Sequence, residues 1–473
     1  MASDLVVSLA IATGEPFKVV DPSTGVAFAE LRCSTREEVH DAAARARAAS
    51  AEWKRSTAPE RAKLLERAAD LLDERVEPIA ELLTREQGKP ISEARGEVAS
   101  AAQALRFYAH EASRLLGEII PAKRNIRSLV VREPVGVVAA ITPWNYPVVL
   151  ASWAVAPALA AGNTVILKPP SATPLSVNAF AEAVIDAGLP EDVLTVVVGS
   201  SGVGEALVTD ENVDLVTMTG SASTGRRILE LAAPMVKRAF LELGNNSPLI
   251  VLEDADVDEA ARLAAYRSFR NMGQICNAVN RIYVDRRVHD QFVERLCVCA
   301  NALVIGPGQS DGVDLGPMAT AEQLKTVLDH IADAVAKGAH VSAGGKQPQR
   351  ADLQGGYFLQ PTVLTNVDHT MLVMTEETFG PIAPVMAVDS AEQAVTLAND
   401  TIYGLTAYVF TRDIGRALCL AKQLEFGTVG VNNVVGGEVE FPYAGWKQSG
   451  LGVGLSHNGL EEYTRVKHIR LSV

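Results

Sequence analysis

Between residues 135 and 243, short apolar runs alternate with segments of helix length. The runs are VGVVAAI (135–141), TVILK (164–168), VLTVVV (193–198), DLVTMT (214–219) and AFLEL (239–243), and the intervening segments cover 147–161, 173–187, 201–208 and 223–232. Continuous β-branched runs predict strands buried on both faces. Helical crossovers between them predict a parallel sheet. The pattern predicts an α/β fold with a doubly wound, Rossmann-like cofactor domain. A second α/β series starts at PLIVL (248–252). It continues through helix 256–270, strand 281–284, helix 288–302, strands 382–388 and 405–411, helix 413–425 and strand 427–432. The two series meet near Glu242–Asn246.

The first third reads as helical. Ser34-Thr35-Arg36-Glu37 matches a capping box ahead of an Ala/Glu/Arg-rich segment. Further helical patterns cover 59–84 and 91–116, separated by Gly88-Lys89-Pro90. Strand-like runs at 17–22 and 127–134 flank this region, and Gly344–Gly356 reads as an exposed polar loop.

A chain of 473 residues exceeds one hydrophobic core, so two or three domains are expected. With 48% hydrophobic and 21% charged residues it is an ordinary folded protein, and a net charge of −14 argues against nucleic acid or an anionic membrane as partner. The N-terminus has no secretory pattern, and the longest apolar stretch, Val148–Ala161, is too short to span a bilayer. A cytoplasmic protein is expected. The five cysteines are Cys33, Cys276, Cys297, Cys299 and Cys419, without CxxC spacing, and the eight histidines show no ligand spacing. Neither a disulfide framework nor a metal site is expected. Cys297 and Cys299 lie in an apolar helical segment and read as core residues.

Several short motifs carry candidate chemistry, each with a plain structural alternative. Cys276, in RNMGQICNAVNR (270–281), is either a small buried residue or a nucleophile. Gly199–Gly204 has the wrong spacing for a dinucleotide fingerprint and reads as a strand-to-helix turn. Thr219-Gly220-Ser221-Ala222-Ser223-Thr224-Gly225 follows a strand and opens a helix, as a pyrophosphate cradle or a plain N-cap would. Arg226 and Arg227 stand where a P-loop needs Lys and Ser/Thr. Lys168-Pro169-Pro170-Ser171 ends a strand, where ligands bind in open α/β sheets. It is a ribose contact or a solvated turn. Thr142-Pro143-Trp144-Asn145-Tyr146-Pro147 forms a rigid corner from which Asn145 can offer an amide to an oxyanion, or act as a cap beside a core Trp144. Glu242, in an apolar strand ending at Gly244, is a general base with raised pKa or a surface carboxylate.

Seven stretches in order resemble the aldehyde dehydrogenase superfamily over nearly the whole chain. They are EPVGVVAAITPWNYP (133–147), ILKPPSATP (166–174), TGSASTG (219–225), LELGNNSP (241–248), GQIC (273–276), EETFGP (376–381) and YGLTAYVFTRD (403–413). The motifs are nearest to the succinate-semialdehyde dehydrogenase-like branch. The resemblance implies an NAD(P)-dependent aldehyde dehydrogenase without a metal. Cys276 would be the nucleophile, Asn145 with the Cys276 backbone N–H the oxyanion donors, and Glu242 the base that hydrolyses the thioester. Thr142, Pro143, Trp144, Lys168, Ser171, Gly220, Ser221, Glu377 and Phe379 would contact the cofactor. It also implies a cofactor domain from 1–117 with 135–243 and a catalytic domain from 244–448. A small β oligomerisation arm of 118–134, with the C-terminal segment 449–473, would complete a homodimer or homotetramer.

Three departures shape the expectations. Family members preferring NAD often carry Glu where this chain has Ser171. Serine accepts a 2′-phosphate without like-charge cost, so NADP should serve at least as well as NAD. Asn245-Asn246 replaces the usual Gly-Gly, and asparagine's tolerance of left-handed backbone lets the turn survive. The semialdehyde branch commonly places two arginines on the substrate carboxylate. Arg270 matches one, and Trp153 stands at the other. The small-molecule substrate is therefore succinic or a related semialdehyde, or an aromatic or aliphatic aldehyde with Trp153 as pocket wall. A branch releasing the thioester to coenzyme A commonly lacks the base, which Glu242 supplies here. A cysteine hydrolase or acyltransferase usually needs a His, and none lies in these motifs.

Overall fold

The computed structural model describes residues 12–121, 125–434 and 436–472. The expected cofactor segment 1–117, the arm and the C-terminal segment thus include residues outside the described ones (1–11, 122–124 and 473).

The first α/β series forms a six-stranded sheet in the order Gly450–Leu451, Arg238–Glu242, Leu215–Thr219, Val137–Ile141, Thr164–Lys168, Leu194–Val196. All neighbours run parallel except Gly450–Leu451, which pairs antiparallel with the edge at Glu242. The chain order reverses between Val137–Ile141 and Leu215–Thr219, so the carboxyl ends of those two strands open onto a crevice where doubly wound sheets bind ligands. Both faces are covered, as the unbroken apolar runs predict. One face packs on Ala58–Glu74, Ile91–Glu111, Pro147–Ala160 and Pro174–Asp186; the other packs on Arg36–Trp53, Ser201–Thr209 and Ala222–Ala232.

The second series forms a seven-stranded sheet: His340–Ala343, Thr362–Thr365, Ile382–Val388, Arg281–Asp285, Pro248–Val251, Thr406–Phe410, Thr428–Val431. Only its first pair is antiparallel. A three-stranded antiparallel sheet joins Glu118–Pro121, Ile126–Pro134 and Thr464–Ser472.

Several local expectations shift. The capping box is Thr35 with Glu38, one residue later than Ser34 with Glu37: the Glu38 N–H donates to Thr35 Oγ1, and the Thr35 N–H donates to the Glu38 carboxylate at 2.7 Å. The helical pattern of 59–84 breaks into Ala58–Glu74 and Val76–Gln87. Pro78 explains the break, because it has no N–H to give and its ring clashes with the carbonyl four residues back. Helix 413–425 shortens to Ile414–Ala421. The pattern also missed Ala321–Ala336 and the strands at 340–343 and 362–365. Cys297 and Cys299 pack half-buried against the core of the second sheet. Among the described residues, no helix is long and apolar enough to cross a membrane.

Candidate active site

The strand Val137–Ile141 delivers Thr142–Tyr146 to the crevice, and buried acids hold the helices that follow. Pro147 opens helix 147–160, leaving the next N–H groups without helical partners. The fully buried Glu97 accepts from the Val148 N–H at 2.8 Å and the Val149 N–H at 3.3 Å. Glu86 does the same for helix 174–186, accepting from Leu175 N–H at 2.9 Å, Ser176 N–H at 2.8 Å and the Ser176 hydroxyl. A carboxylate at a helix N-terminus meets both free donors and the positive end of the dipole.

Cys276 sits after an unusual turn. Helix Val257–Phe269 ends, and Asn271 (φ 48°), Met272 (φ 58°) and Gly273 (φ 70°) all take left-handed backbone. For the two non-glycine residues this costs about 1–2 kcal/mol each. Hydrogen bonds offset the cost. Asn271 Nδ2 donates to the Asn145 carbonyl at 3.0 Å and the Gln274 carbonyl at 3.2 Å, and Asn271 Oδ1 accepts from Gln87 Nε2 at 3.1 Å. Gly273 is required by close approach, since a Cβ there would fall 2.1 Å from the Gly380 carbonyl oxygen.

Two cavities meet at this turn. One, of about 280 Å³, is lined by Cys276, Asn145, Leu150, Trp153, Tyr146, Tyr266, Arg267, Arg270, Glu438 and Tyr443. The other, of about 270 Å³, is lined by Cys276, Asn145, Leu150, Pro143, Trp144, Gly220, Ser221, Gly244, Gln323, Glu377 and Phe379. Their shared residues are Cys276, Asn145 and Leu150. Asn145 is buried, and its Nδ2 donates to the Gln274 carbonyl at 3.1 Å. The Cys276 thiol lies 3.4 Å from the Tyr443 hydroxyl. Burial pushes the thiol up to about 11; the Tyr443 contact opposes this, while the fields of Glu242 and Glu377 add to it.

The remaining predicted residues surround the second cavity at different distances. Trp144 is half-buried there, edge-on to Phe379 with ring centroids 5.5 Å apart. Ser221 caps helix 222–232 by accepting from the Thr224 N–H at 3.2 Å, which is the N-cap reading of this turn, and it also lines the second cavity. Glu377 accepts from the Asn245 N–H at 2.8 Å, and burial pushes its carboxyl up to about 7. Lys168 and Ser171 lie one strand over and line neither cavity. Lys168 Nζ donates to the Pro169 carbonyl at 3.1 Å, and burial lowers its pKa to about 8. Ser171 Oγ donates to the Gly199 carbonyl at 2.8 Å, and the Thr142 N–H to the Lys168 carbonyl at 3.2 Å. Glu242 also lines neither cavity. Its carboxyl rests against Gly454, where a Cβ would fall 1.9 Å from Oε1, and burial raises its pKa to about 8.

In the first cavity, Arg270 Nη1 donates to the Tyr266 hydroxyl at 2.7 Å, and its Nε lies 3.5 Å from Glu93. Trp153 packs edge-on to Tyr443 at 6.4 Å. The left-handed turn expected at Asn245-Asn246 does not occur: neither residue is among the left-handed positions of the described chain. Both are buried, and side-chain hydrogen bonds fix them instead. Asn245 Nδ2 donates to the Cys276 carbonyl at 3.1 Å and Thr406 Oγ1 at 3.0 Å, and Asn246 Nδ2 to the Glu376 carbonyl at 3.1 Å.

The model of the aldehyde dehydrogenase family matches residues 10–469. The chain belongs to the aldehyde dehydrogenase family. It is 43% identical to a 3-sulfolactaldehyde dehydrogenase of Pseudomonas putida, covering 97% of this chain and 94% of that one. It is 41% identical to an NADP(+) succinate-semialdehyde dehydrogenase of Escherichia coli K12, covering 96% and 94%. The crystal structure of a succinate-semialdehyde dehydrogenase from Burkholderia pseudomallei superposes with a TM-score of 0.95 at 42% identity, covering 97% and 95%.

For an aldehyde dehydrogenase, the second cavity fits a nicotinamide cofactor. It ends at the Ser221 helix N-terminus, has an aromatic wall of Trp144 and Phe379, and presents the Glu377 carboxyl. Sequence reasoning missed Gln87, Lys89, Glu97, Asn271, Arg267 and Tyr443. The buried Arg267 guanidinium donates to the Val434 carbonyl at 2.6 Å and Asn277 Oδ1 at 3.1 Å while lining the first cavity beside Arg270.

Proposed function

We propose that this chain oxidises an aldehyde with an anionic tail to its carboxylic acid, with succinic and glutaric semialdehydes as leading substrates and NADP used at least as well as NAD. One observation carries the reading: two cavities share Cys276 and Asn145, and the one facing away from the Ser221 cradle holds Arg270. The similarity to enzymes named for succinic semialdehyde and 3-sulfolactaldehyde, both anionic aldehydes, supports it.

In this reading Arg270 binds the anionic tail, and Trp153 and Tyr443 wall the chain between tail and aldehyde. The Cys276 thiol is neutral at rest, so its proton passes to solvent water as sulfur adds to the carbonyl carbon. Asn145 Nδ2 leaves the Gln274 carbonyl to donate to the new oxyanion. Pro143, Trp144, Gly220, Ser221, Glu377 and Phe379 would hold the nicotinamide half of the cofactor and Lys168, Ser171 and Thr142 the adenosine half; the bound group would supply the hydride acceptor. Loss of hydride leaves a thioester on Cys276. Glu242 swings from Gly454 and takes a proton from the water that hydrolyses it. The domains divide accordingly: 1–117 with 135–243 holds the cofactor, 244–448 carries Cys276, and 118–134 with 449–473 joins copies into a homo-oligomer.

The test compares kcat/KM for succinic semialdehyde, glutaric semialdehyde, benzaldehyde and short aliphatic aldehydes, read at 340 nm. Arg270→Ala is expected to lower kcat/KM for the semialdehydes at least tenfold more than for the neutral aldehydes. Equal losses would remove the anionic-tail assignment. Preference for benzaldehyde would favour Trp153 as an aromatic-substrate wall.

A further inference from the structure

Lys89 and Glu97 form an ion pair whose side chains are both wholly inaccessible to solvent. A lone buried ammonium is strongly destabilising, so each of its N–H groups needs a partner. Lys89 Nζ donates to Glu97 and, at 2.8 Å, to the backbone carbonyl of Asn145; it also sits 3.7 Å from the centroid of the Tyr146 ring. A carboxylate, a carbonyl and an aromatic face account for all three donors. The other Glu97 oxygen meets the Val148 and Val149 N–H groups. The pair therefore grips the chain immediately before and immediately after Tyr146-Pro147.

The same loop reaches the nucleophile's turn. Gln87 Nε2 donates to Asn271 Oδ1 at 3.1 Å, and Asn271 Nδ2 returns to the Asn145 carbonyl at 3.0 Å. Two buried donors thus converge on one carbonyl oxygen, that of the residue whose side chain faces both cavities.

We infer that Lys89, neutralised by Glu97, is the positioning residue for the Asn145 amide: by holding the Asn145 carbonyl it fixes the direction from which Nδ2 donates to the oxygen of the carbonyl attacked by Cys276. Lys89 touches neither substrate nor cofactor in this arrangement. The inference rests on the reading of Asn145 as oxyanion donor. Amide misplacement of about an ångström is enough to cost on the order of 100-fold in rate, so the positioning has a measurable consequence.

A double-mutant cycle on the full chain separates positioning from a structural role. Wild type, Asn145→Ala, Lys89→Met and the double variant are compared for kcat, KM and the first turnover at 340 nm with succinic semialdehyde and NADP. NADP affinity is followed by fluorescence titration. Asn145→Ala is expected to lower kcat about 100-fold or more. Lys89→Met is expected to lower kcat about 10- to 100-fold where Asn145 is present, but less than about threefold in the Asn145→Ala background, with NADP affinity unchanged. An equal loss in both backgrounds, or full activity of Lys89→Met, overturns the inference while leaving Asn145 as donor. Full activity of Asn145→Ala overturns the underlying reading. Should Lys89→Met not fold, the Lys89→Met/Glu97→Gln pair leaves no buried charge unpaired and takes its place in the cycle: a loss confined to the Asn145 background supports positioning, and an equal loss in both backgrounds overturns it.

Discussion

At the scale of single residues, protonation decides much of the chemistry. Burial raises Glu242 to about 8, so near pH 7 it is mostly protonated and only its minor ionised fraction can take a proton from water. Its basic form grows as pH rises through 8. Where thioester hydrolysis limits turnover, kcat is therefore expected to rise from pH 7 to 9, and Glu242→Gln should flatten that rise while sparing the first-turnover burst. A burst lost together with steady turnover would count against Glu242 as the hydrolytic base. The same shift has a stability sign. A carboxyl whose folded pKa exceeds its unfolded value favours the folded state below about 4.5, and that contribution is lost as pH rises through 8. Glu242→Gln should therefore gain in Tm relative to wild type as pH increases. Ser171 carries the cofactor prediction. Its hydroxyl now rests on the Gly199 carbonyl at 2.8 Å. Ser171→Glu puts a negative charge there and is expected to lower kcat/KM for NADP relative to NAD by tenfold or more. An unchanged ratio would show that Ser171 does not set the preference.

At the scale of elements, buried acids cap the two helices that follow the strands Val137–Ile141 and Thr164–Lys168. Glu86→Ala would strand two N–H groups and a hydroxyl at the start of helix 174–186, each a buried group already satisfied. A loss of about 1–3 kcal/mol is expected in a urea titration. Unchanged stability would mean that water replaces the carboxylate. The five parallel strands of the first sheet were legible because their apolar runs are unbroken, and the corner at Thr142–Pro147 because two prolines restrict it. Cys276, Asn145 and the Ser221 turn were legible from motif order. The Lys89 and Gln87 contacts were not. They join residues 56 and 184 positions apart, and neither periodicity nor local spacing marks a polar residue for a partner so distant. The capping box was misplaced by one residue because Ser34 and Thr35 are both competent caps, and only the backbone decides between them. At Asn245-Asn246 the expectation of left-handed backbone failed because buried side-chain amides offered another way to hold the turn.

At the scale of the whole molecule, the three-stranded sheet leaves apolar side chains in solvent: Ile119 is 72% exposed and Val466 64%, with Ile120, Ile469 and Leu471 also exposed. Among the described residues Thr464–Ser472 is an edge strand of that sheet, the kind of strand that can pair with a further chain. If this arm joins copies, Ile120→Glu with Val466→Glu should lower the mass measured by light scattering to that of one chain. An unchanged oligomeric mass would place the contact elsewhere. Finally, the two cavities touch only at Cys276, Asn145 and Leu150. With the aldehyde on the Arg270 side and the dinucleotide on the Ser221 side, as proposed above, the two approach the sulfur from opposite sides and have no steric reason to evict each other. A compound that fills only the Arg270 side leaves the dinucleotide's seat vacant. Raising dinucleotide concentration should then never restore full velocity, so such an inhibitor is competitive against aldehyde alone.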